Sequence, residues 1–216
     1  MKSLRRSCTS GFTLVELAIS SVVFGVILSA TLGASFTAQN GFSAAVIRSR
    51  LEQRAQRALD LILDEFGTAG QTGLTPASAP PLGSFSLTYR RPTGIAAGAI
   101  TWGNASTVLF EYTADEPNNG VDDDGDGLVD EGRIVLIRNV GLPTERRTVL
   151  ATGVPELMPG ELANGLDDNG DGLADERGLA FSVASGVLTI RLALGEADAH
   201  GRRITSIQRI AIQLRN

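Results

Sequence analysis

The stretch Gly11-Phe12-Thr13-Leu14-Val15-Glu16-Leu17 decides how this chain is organised. It opens an apolar run of 27 residues from Phe12 to Ala38. As an α-helix at ~1.5 Å per residue, that run is about 40 Å long and can cross a bilayer. A carboxylate inside such a span is costly unless it has a partner, so Glu16 predicts a functional interaction.

The residues before Gly11 are few and basic, as at the start of a secretory signal peptide. However, the apolar run is longer than the ~7 to 15 residues of a signal-peptide core, and no Ala-x-Ala-like cleavage site follows it. The small residue that would admit a protease is Gly11, which precedes the run and puts no side chain in the way of an extended backbone. The pattern predicts a retained anchor whose basic leader stays on the cytoplasmic side.

These residues resemble the class III signal of type IV prepilins and type II secretion pseudopilins. The resemblance rests on the glycine, the phenylalanine after it, the glutamate at fixed spacing and the long apolar run. It implies cleavage between Gly11 and Phe12 by prepilin peptidase, followed by N-methylation of Phe12. It also implies that Glu16 pairs with the Phe12 amine of a neighbouring subunit.

The same resemblance implies where the protein is found and what it meets. The expected partners are prepilin peptidase, other pilins or pseudopilins of the same filament, and the inner membrane before assembly. The expected location is the bacterial inner membrane, with a single span and the head in the periplasm or outside, and then the filament.

The helical pattern continues beyond the apolar run. Apolar residues recur at steps of three and four between Phe42 and Phe66, with charged residues on the other face. They are Val46, Ile47, Leu51, Ala55, Ala58, Leu59, Ile62, Leu63 and Phe66. Gly67 and Gly70 predict the end of a single helix of about 80 Å, which resembles the pilin spine.

Short alternating or β-branched runs follow and predict a mainly antiparallel sheet. They are Phe85–Tyr89, Val108–Tyr112, Ile134–Val140, Thr148–Ala151, Leu179–Val183, Val187–Leu194 and Ile204–Leu214. Ala184-Ser185-Gly186 predicts a hairpin turn. Residues 92–103 are predicted to form a loop in which Trp102 packs.

The predicted fold class is α+β, with the apolar face of the sheet packed on the amphipathic half of the helix, because neither element can bury that surface alone. Four segments are predicted along the chain. They are a cleaved leader at residues 1–11, a transmembrane or filament-core helix at 12–38, its amphipathic continuation at 39–70 and a β-rich head at 71–216.

Further resemblances narrow the type of subunit. Residues 63–70 resemble the helix end of W-type minor pilins and J-type minor pseudopilins, and residues 210–216, ending in Arg215-Asn216, resemble their terminal strand. Gly33 lies where major pilins commonly have proline. These features favour a minor subunit.

One acidic segment occurs twice. Residues 119–131 recur 45 residues later as residues 164–176, with ten of thirteen positions identical. We call them loop 1 and loop 2. Glu116 and Glu161, each three residues upstream, extend the match.

The spacing in both loops is typical of calcium loops. Alternating acidic residues supply oxygen ligands, a glycine permits a sharp turn, a leucine offers its carbonyl and a further aspartate completes the cage. The predicted ligands are Asp122, Asp124, Asp126, Leu128 and Asp130 in loop 1, and Asp167, Asn169, Asp171, Leu173 and Asp175 in loop 2.

The loops resemble those of EF-hand, dockerin and thrombospondin type 3 repeats over about nine positions. The twelfth position is Arg133 in one loop and Gly178 in the other, where an EF-hand has a bidentate glutamate. The remaining ligand is left open among Glu131, Glu176, Asn119, Asn164 and the upstream glutamates. The alternative is two solvated turns without metal, although clustered carboxylates repel one another unless a cation neutralises them.

Charge and composition argue against nucleic-acid binding and against enzymatic activity. The 24 acidic side chains outnumber 19 basic ones, three of which lie ahead of Gly11, so no nucleic-acid partner is expected and a DNA-uptake pilin is disfavoured. The single histidine, His200, lies in a polar turn, and we expect no enzyme.

Two functions are favoured by the sequence, and a DNA-uptake pilin is the third choice. The first is a structural minor pilin or pseudopilin that primes, caps or decorates a type IV pilus or a type II secretion pseudopilus. The second is a membrane-tethered, calcium-dependent module that recognises a secreted substrate or surface ligand.

Overall fold

The structure is a computed structural model that describes residues 12–70, 73–76 and 84–214. Its elements are one helix, α1 (Leu14–Phe66), and seven strands: β1 (Ser86–Ala96), β2 (Ala99–Tyr112), β3 (Gly132–Arg138), β4 (Arg146–Val154), β5 (Leu179–Ala184), β6 (Val187–Ala197) and β7 (Arg203–Gln213). The predicted α+β fold class is confirmed. Gly11 and the rest of the leader, most of the segment after the helix, and Arg215-Asn216 lie outside the described residues.

The chain is divided into two compact units, of which the first ends at Ser43 and the second begins at Ala44. In the described part of the first unit, the apolar side chains of α1 are exposed. By length and composition, α1 is a helix able to cross a membrane. The predicted segment boundaries at residues 38 and 70 stay predictions.

The strands form two antiparallel sheets, one in the order β1-β2-β3-β4 and the other in the order β5-β6-β7. The buried side chains of α1 pack with residues of both sheets in one core. The helix contributes Leu51, Ala55, Ala58, Leu59, Ile62 and Phe66. Because these positions follow the three- and four-residue steps of the sequence, the amphipathic pattern is what attaches the helix to the sheets.

The helix ends as predicted, at Phe66, where the amide of Gly67 donates to the carbonyl of Leu63 at 2.7 Å. The predicted turn between β5 and β6 is also confirmed. Ala184 pairs with Val187, and the two residues between them have positive φ, at 52° for Ser185 and 77° for Gly186. Positive φ at both central residues is the geometry of a two-residue hairpin.

The prediction of a loop at residues 92–103 is wrong, because β1 and β2 extend through it as a hairpin. Its turn lies at Ala97 and Gly98, both with positive φ. The ladder shifts register on either side of Pro92, which lacks an amide donor and lies in an outer strand, where proline is tolerated. Trp102 packs as expected, since a Cβ on Gly70 would lie 2.8 Å from its ring.

A buried carboxylate fastens the end of α1 to the first sheet. The side chain of Glu65 is only 4% exposed and accepts hydrogen bonds from the Tyr89 hydroxyl and the Arg138 guanidinium. Arg91 lies 3.1 Å from the same carboxylate. Burial, the largest single influence, raises the pKa of Glu65, but these hydrogen bonds and charges together outweigh it and lower the pKa below its usual 4.5.

A carboxylate with a lowered pKa stabilises the fold above its unfolded pKa and loses that contribution as the pH falls through the folded value. We therefore expect Glu65→Gln to lower the free energy of unfolding at pH 7 by about 2 kcal/mol, the usual cost of losing hydrogen bonds to a charged group. The difference from the wild-type protein should narrow below pH 4.5. Denaturant unfolding of the full chain in detergent between pH 7 and 3 measures both.

The matched control is Glu52→Gln, whose carboxylate is 46% exposed and pairs with Arg48 at 3.2 Å. An exposed pair of this kind contributes roughly 0.5 kcal/mol. A cost at Glu65 that is no larger than the cost at Glu52, or that stays constant down to pH 3, would contradict the assignment.

Candidate functional sites: the N-terminal segment and the acidic loops

Glu16 closes the first turn of α1 in a reciprocal pair with Thr13. The Thr13 hydroxyl accepts from the Glu16 amide at 3.2 Å, and the Glu16 carboxylate accepts from the amide and the hydroxyl of Thr13, each at 2.9 Å. This is a capping box, which satisfies amides that the first turn of a helix leaves unpaired. Within one chain, Glu16 therefore has a structural role.

Phe12 directly precedes this cap and is 85% exposed. It lies outside the helix, which begins at Leu14. A new amine on Phe12 would thus lie beside the N-terminus of α1, on a surface that the described residues leave exposed.

The two acidic loops share one backbone scaffold. In loop 1, Asp122 accepts from the amides of Gly125 and Gly127 at 2.7 and 3.0 Å. In loop 2, Asp167 accepts from the equivalent glycines at 2.7 and 2.8 Å. The same positions have positive φ in both loops, namely Gly120, Gly125, Gly127 and Asp130, and Gly165, Gly170, Gly172 and Asp175.

In loop 1 the structure brings three of the predicted ligands together. Carboxylate oxygens of Asp122, Asp124 and Asp126 lie within 4.8 Å of one another. A second group with the same spacing joins Asp124 to Glu116 and Glu131. Glu116, upstream of loop 1, and Glu131, its last residue, thus extend the three aspartates into a larger acidic cluster. Asp124 belongs to both groups.

Glu116 and Glu131 are buried, with exposures of 0% and 5%. One oxygen of each, Oε2, is buried without a hydrogen-bond partner. Burial, and then the negative charges of Asp126, Glu116 and Asp124, raise the pKa of Glu131 to about 7. Buried carboxylates without a cation are costly, so this cluster has the electrostatics of a cation site.

Asp130 and Asp175 are not part of such a cluster among the described residues. Asp130 accepts from the amides of Asn119 and Gly120 at 2.7 to 3.0 Å, and so joins the two ends of loop 1. Asp175 does the same in loop 2 with the amides of Asn164 and Gly165. Their predicted role as ligands stays a prediction.

The predicted carbonyl ligands Leu128 and Leu173 have buried side chains, with exposures of 3% and 6%. Their amides donate to Asp126 and Asp171 at 2.9 and 3.1 Å, respectively. Each leucine is therefore covered by the rest of the head, although neither belongs to the main core cluster. Their role as ligands also stays a prediction.

In loop 2, Asn169 and Asp171 lie beside a basic residue. Arg191, in β6, forms an ion pair with the Asp171 carboxylate, and its Nη1 lies 3.7 Å from Oε1 of Glu176. It also donates to the Asp171 carbonyl at 3.1 Å. The Asn169 amide donates to the same Glu176 oxygen at 3.2 Å.

Comparison with known families adds one finding. Residues 6–32 match the model of the family described as prokaryotic N-terminal methylation motif. The chain carries this motif. No curated protein and no solved structure matches the chain.

The N-terminal methylation motif includes Gly11, Phe12 and Glu16, the residues that the sequence identified for processing and assembly. The match supports a type IV pilin-like or pseudopilin-like protein and is compatible with membrane anchoring by α1. It ends at residue 32, so it does not reach the head.

Two residues of these networks were missed in the sequence. Glu65 follows Ala58 and Ile62 at helical steps, so its place on the buried face of α1 could have been recognised. Arg191 lies between the buried Ile190 and Leu192 in β6. Because successive side chains of a strand point to opposite faces, this position predicts only that Arg191 faces away from them. No local signal connects it to loop 2.

Proposed function

We propose that the protein is a minor subunit of a type IV pilus or of a type II secretion pseudopilus. The observation that carries this proposal is the N-terminal methylation motif at residues 6–32, placed at the start of a helix long and apolar enough to cross a membrane. Prepilin peptidase cleaves between Gly11 and Phe12. Before assembly, the chain spans the inner membrane once, with the head in the periplasm or outside.

The proposed role is structural. The subunit leaves the membrane by exchanging lipid contacts along the exposed apolar part of α1 for contacts with neighbouring helices. Apart from the adjoining residues and the nearby backbone of α1 itself, no described atom lies within 4 Å of where a Cβ on Gly25 or Gly33 would be. Small residues of this kind let helices approach closely. The glycine at position 33 supports a minor subunit that primes, caps or decorates the filament.

Glu16 has two roles in this proposal. In the single chain it caps α1 with Thr13. In the filament its negative charge pairs with the Phe12 amine of a neighbour, because opposite charges attract strongly where water is scarce. The two roles are separable, since capping needs an acceptor and pairing needs the charge.

We therefore expect Glu16→Gln to reduce incorporation into filaments by about tenfold or more, equivalent to ~1.4 kcal/mol. Glutamine keeps the capping acceptor and removes the charge. The measurement is the amount of the subunit in sheared filaments relative to the membrane fraction in cells.

Thr13→Ala is the matched control, because it removes the cap and keeps the charge. It should be incorporated within a factor of about two, since the lost cap weakens the first turn of α1 by ~1 kcal/mol in the membrane and in the filament alike and leaves the charge that pairs with the neighbour. If Glu16→Gln were incorporated normally and Thr13→Ala were not incorporated, Glu16 would be assigned to the helix cap alone.

The head carries a structural Ca²⁺ site in loop 1. This part of the proposal is supported by the two groups of carboxylates that share Asp124, and by the buried, unpaired oxygens of Glu116 and Glu131. Ca²⁺ takes six to eight oxygen ligands and tolerates irregular geometry. The ion neutralises the cluster and fixes loop 1 against the head.

We expect Ca²⁺ to raise the melting temperature of the full chain in detergent. At a hundred times Kd it adds about 2.7 kcal/mol, which corresponds to roughly 5–10 °C for a domain of this size. Asp122→Asn combined with Asp126→Asn should abolish the shift. Thermal unfolding followed by circular dichroism, with calcium or chelator, measures it.

Asp123→Asn is the matched control, because this carboxylate accepts from the Asn119 side chain at 2.6 Å and belongs to neither carboxylate group. The control should keep the shift. A shift that is absent from the wild-type protein would remove calcium from the proposal, and a shift that is equal in the double variant would remove calcium from loop 1.

A further inference from the structure

We propose that the two acidic loops have different functions: loop 1 binds Ca²⁺, whereas in loop 2 the guanidinium of Arg191 takes the place of the cation. The protein then holds one calcium ion and not two. This inference rests on the proposed calcium binding of the head.

The shared scaffold makes the comparison direct. Ten of thirteen residues are identical, and the first aspartate of each loop accepts the same pair of amides. A difference in function must therefore come from the few positions that differ, or from residues outside the repeat. Within the repeat, the substitution that changes charge is Asp124 to Asn169.

The upstream glutamates use their oxygens differently. Glu116 accepts from the amides of Asp123 and Asp124 through Oε1, at 2.5 and 2.7 Å, and its Oε2 is buried and unpaired. Glu161 uses both oxygens, accepting from the amides of Asn169 and Asp175 at 2.9 Å each. At the upstream glutamate, loop 1 thus keeps a buried, unpaired oxygen and loop 2 does not. The last glutamates of the two loops are alike, because Oε2 of Glu131 and Oε2 of Glu176 are both buried without a hydrogen-bond partner.

The residue at the centre of each loop also differs in what it offers. Asp124 lies with Glu116 and Glu131 in a group of three carboxylates. Asn169 instead donates through its side-chain amide to Glu176, at 3.2 Å. The same position therefore adds a negative charge in loop 1 and a hydrogen-bond donor in loop 2.

No basic side chain among the described residues forms an ion pair with the carboxylates of loop 1 or with Glu116. Arg54 lines the same cleft as Asp124, Asp126 and Glu131. Its guanidinium donates to the Thr152 carbonyl and hydroxyl at 2.9 Å and lies 3.6 Å from Glu196. The positive charge that neutralises the carboxylates of loop 1 must therefore come from an ion in solution.

Loop 2 has its own positive charge. The Arg191 side chain is 13% exposed, and its Nη1 forms an ion pair with Asp171 and lies 3.7 Å from Oε1 of Glu176. Its strand, β6, pairs with β5 and β7 on both sides, so the base of the side chain is fixed in the middle of the sheet. A calcium ion here would leave a buried guanidinium beside a second cation, which is strongly unfavourable.

The test is the number of calcium ions bound per full chain in detergent, measured by equilibrium dialysis with radioactive Ca²⁺ after chelator treatment. We expect one ion. Asp122→Asn with Asp126→Asn should bind none, and the matched pair in loop 2, Asp167→Asn with Asp171→Asn, should still bind one. Arg191→Gln should bind a second ion.

Two ions of similar affinity in the wild-type protein would overturn the inference. The inference would also be overturned if the loop 2 double variant lost the ion and the loop 1 double variant kept it. These comparisons hold even if Arg191→Gln does not fold, and a folded Arg191→Gln that binds only one ion would contradict the role of Arg191. No ion at all would remove calcium from the proposed function, while incorporation into filaments tests the filament role separately.

Discussion

A buried carboxylate is stable only with a positive charge or hydrogen-bond donors beside it, and the rest of this structure depends on how each carboxylate is neutralised. Arg138 and Arg91 supply the positive charge for Glu65 at the end of α1. Arg191 supplies it in loop 2. Loop 1 and Glu16 are the two places where, on our proposals, the charge comes from outside the chain: a calcium ion in one case and a neighbour's amine in the other.

This requirement connects the parts of the proposed subunit. The ion pairs of Glu65 hold the last turn of α1 against β1 and β3, so the buried face of the helix and the sheets share one core. Fixing loop 1 with an ion would stiffen the segment between β2 and β3, directly before the strand that carries Arg138.

Sequence patterns of local origin predicted most of the fold. The three- and four-residue steps from Leu51 to Phe66 identified the buried face of α1, and the Ser185-Gly186 turn fixed the register of β5 and β6. The hairpin through Pro92 was missed, because proline and glycine argue for a loop unless the strand is known to lie at the edge of its sheet. Edge position is a property of the assembled sheet and is not visible locally.

The candidate site was predictable to a smaller extent. The spacing of Asp122, Asp124 and Asp126 brought these residues together as expected, since a short glycine-rich loop determines their positions locally. The choice of Glu116 and Glu131 among several open possibilities depends on which side chains the head buries. The contrast between the loops depends on Arg191, which reaches loop 2 only through sheet pairing.

Processing between Gly11 and Phe12 is tested by the intact mass of the mature protein, purified from the membrane of cells that contain a prepilin peptidase. We expect a single species that begins at Phe12 and carries one added methyl group on its N-terminal amine. A chain that begins at Met1, or one that begins beyond the apolar run at residue 38, would contradict processing at this motif and with it the assignment to a filament.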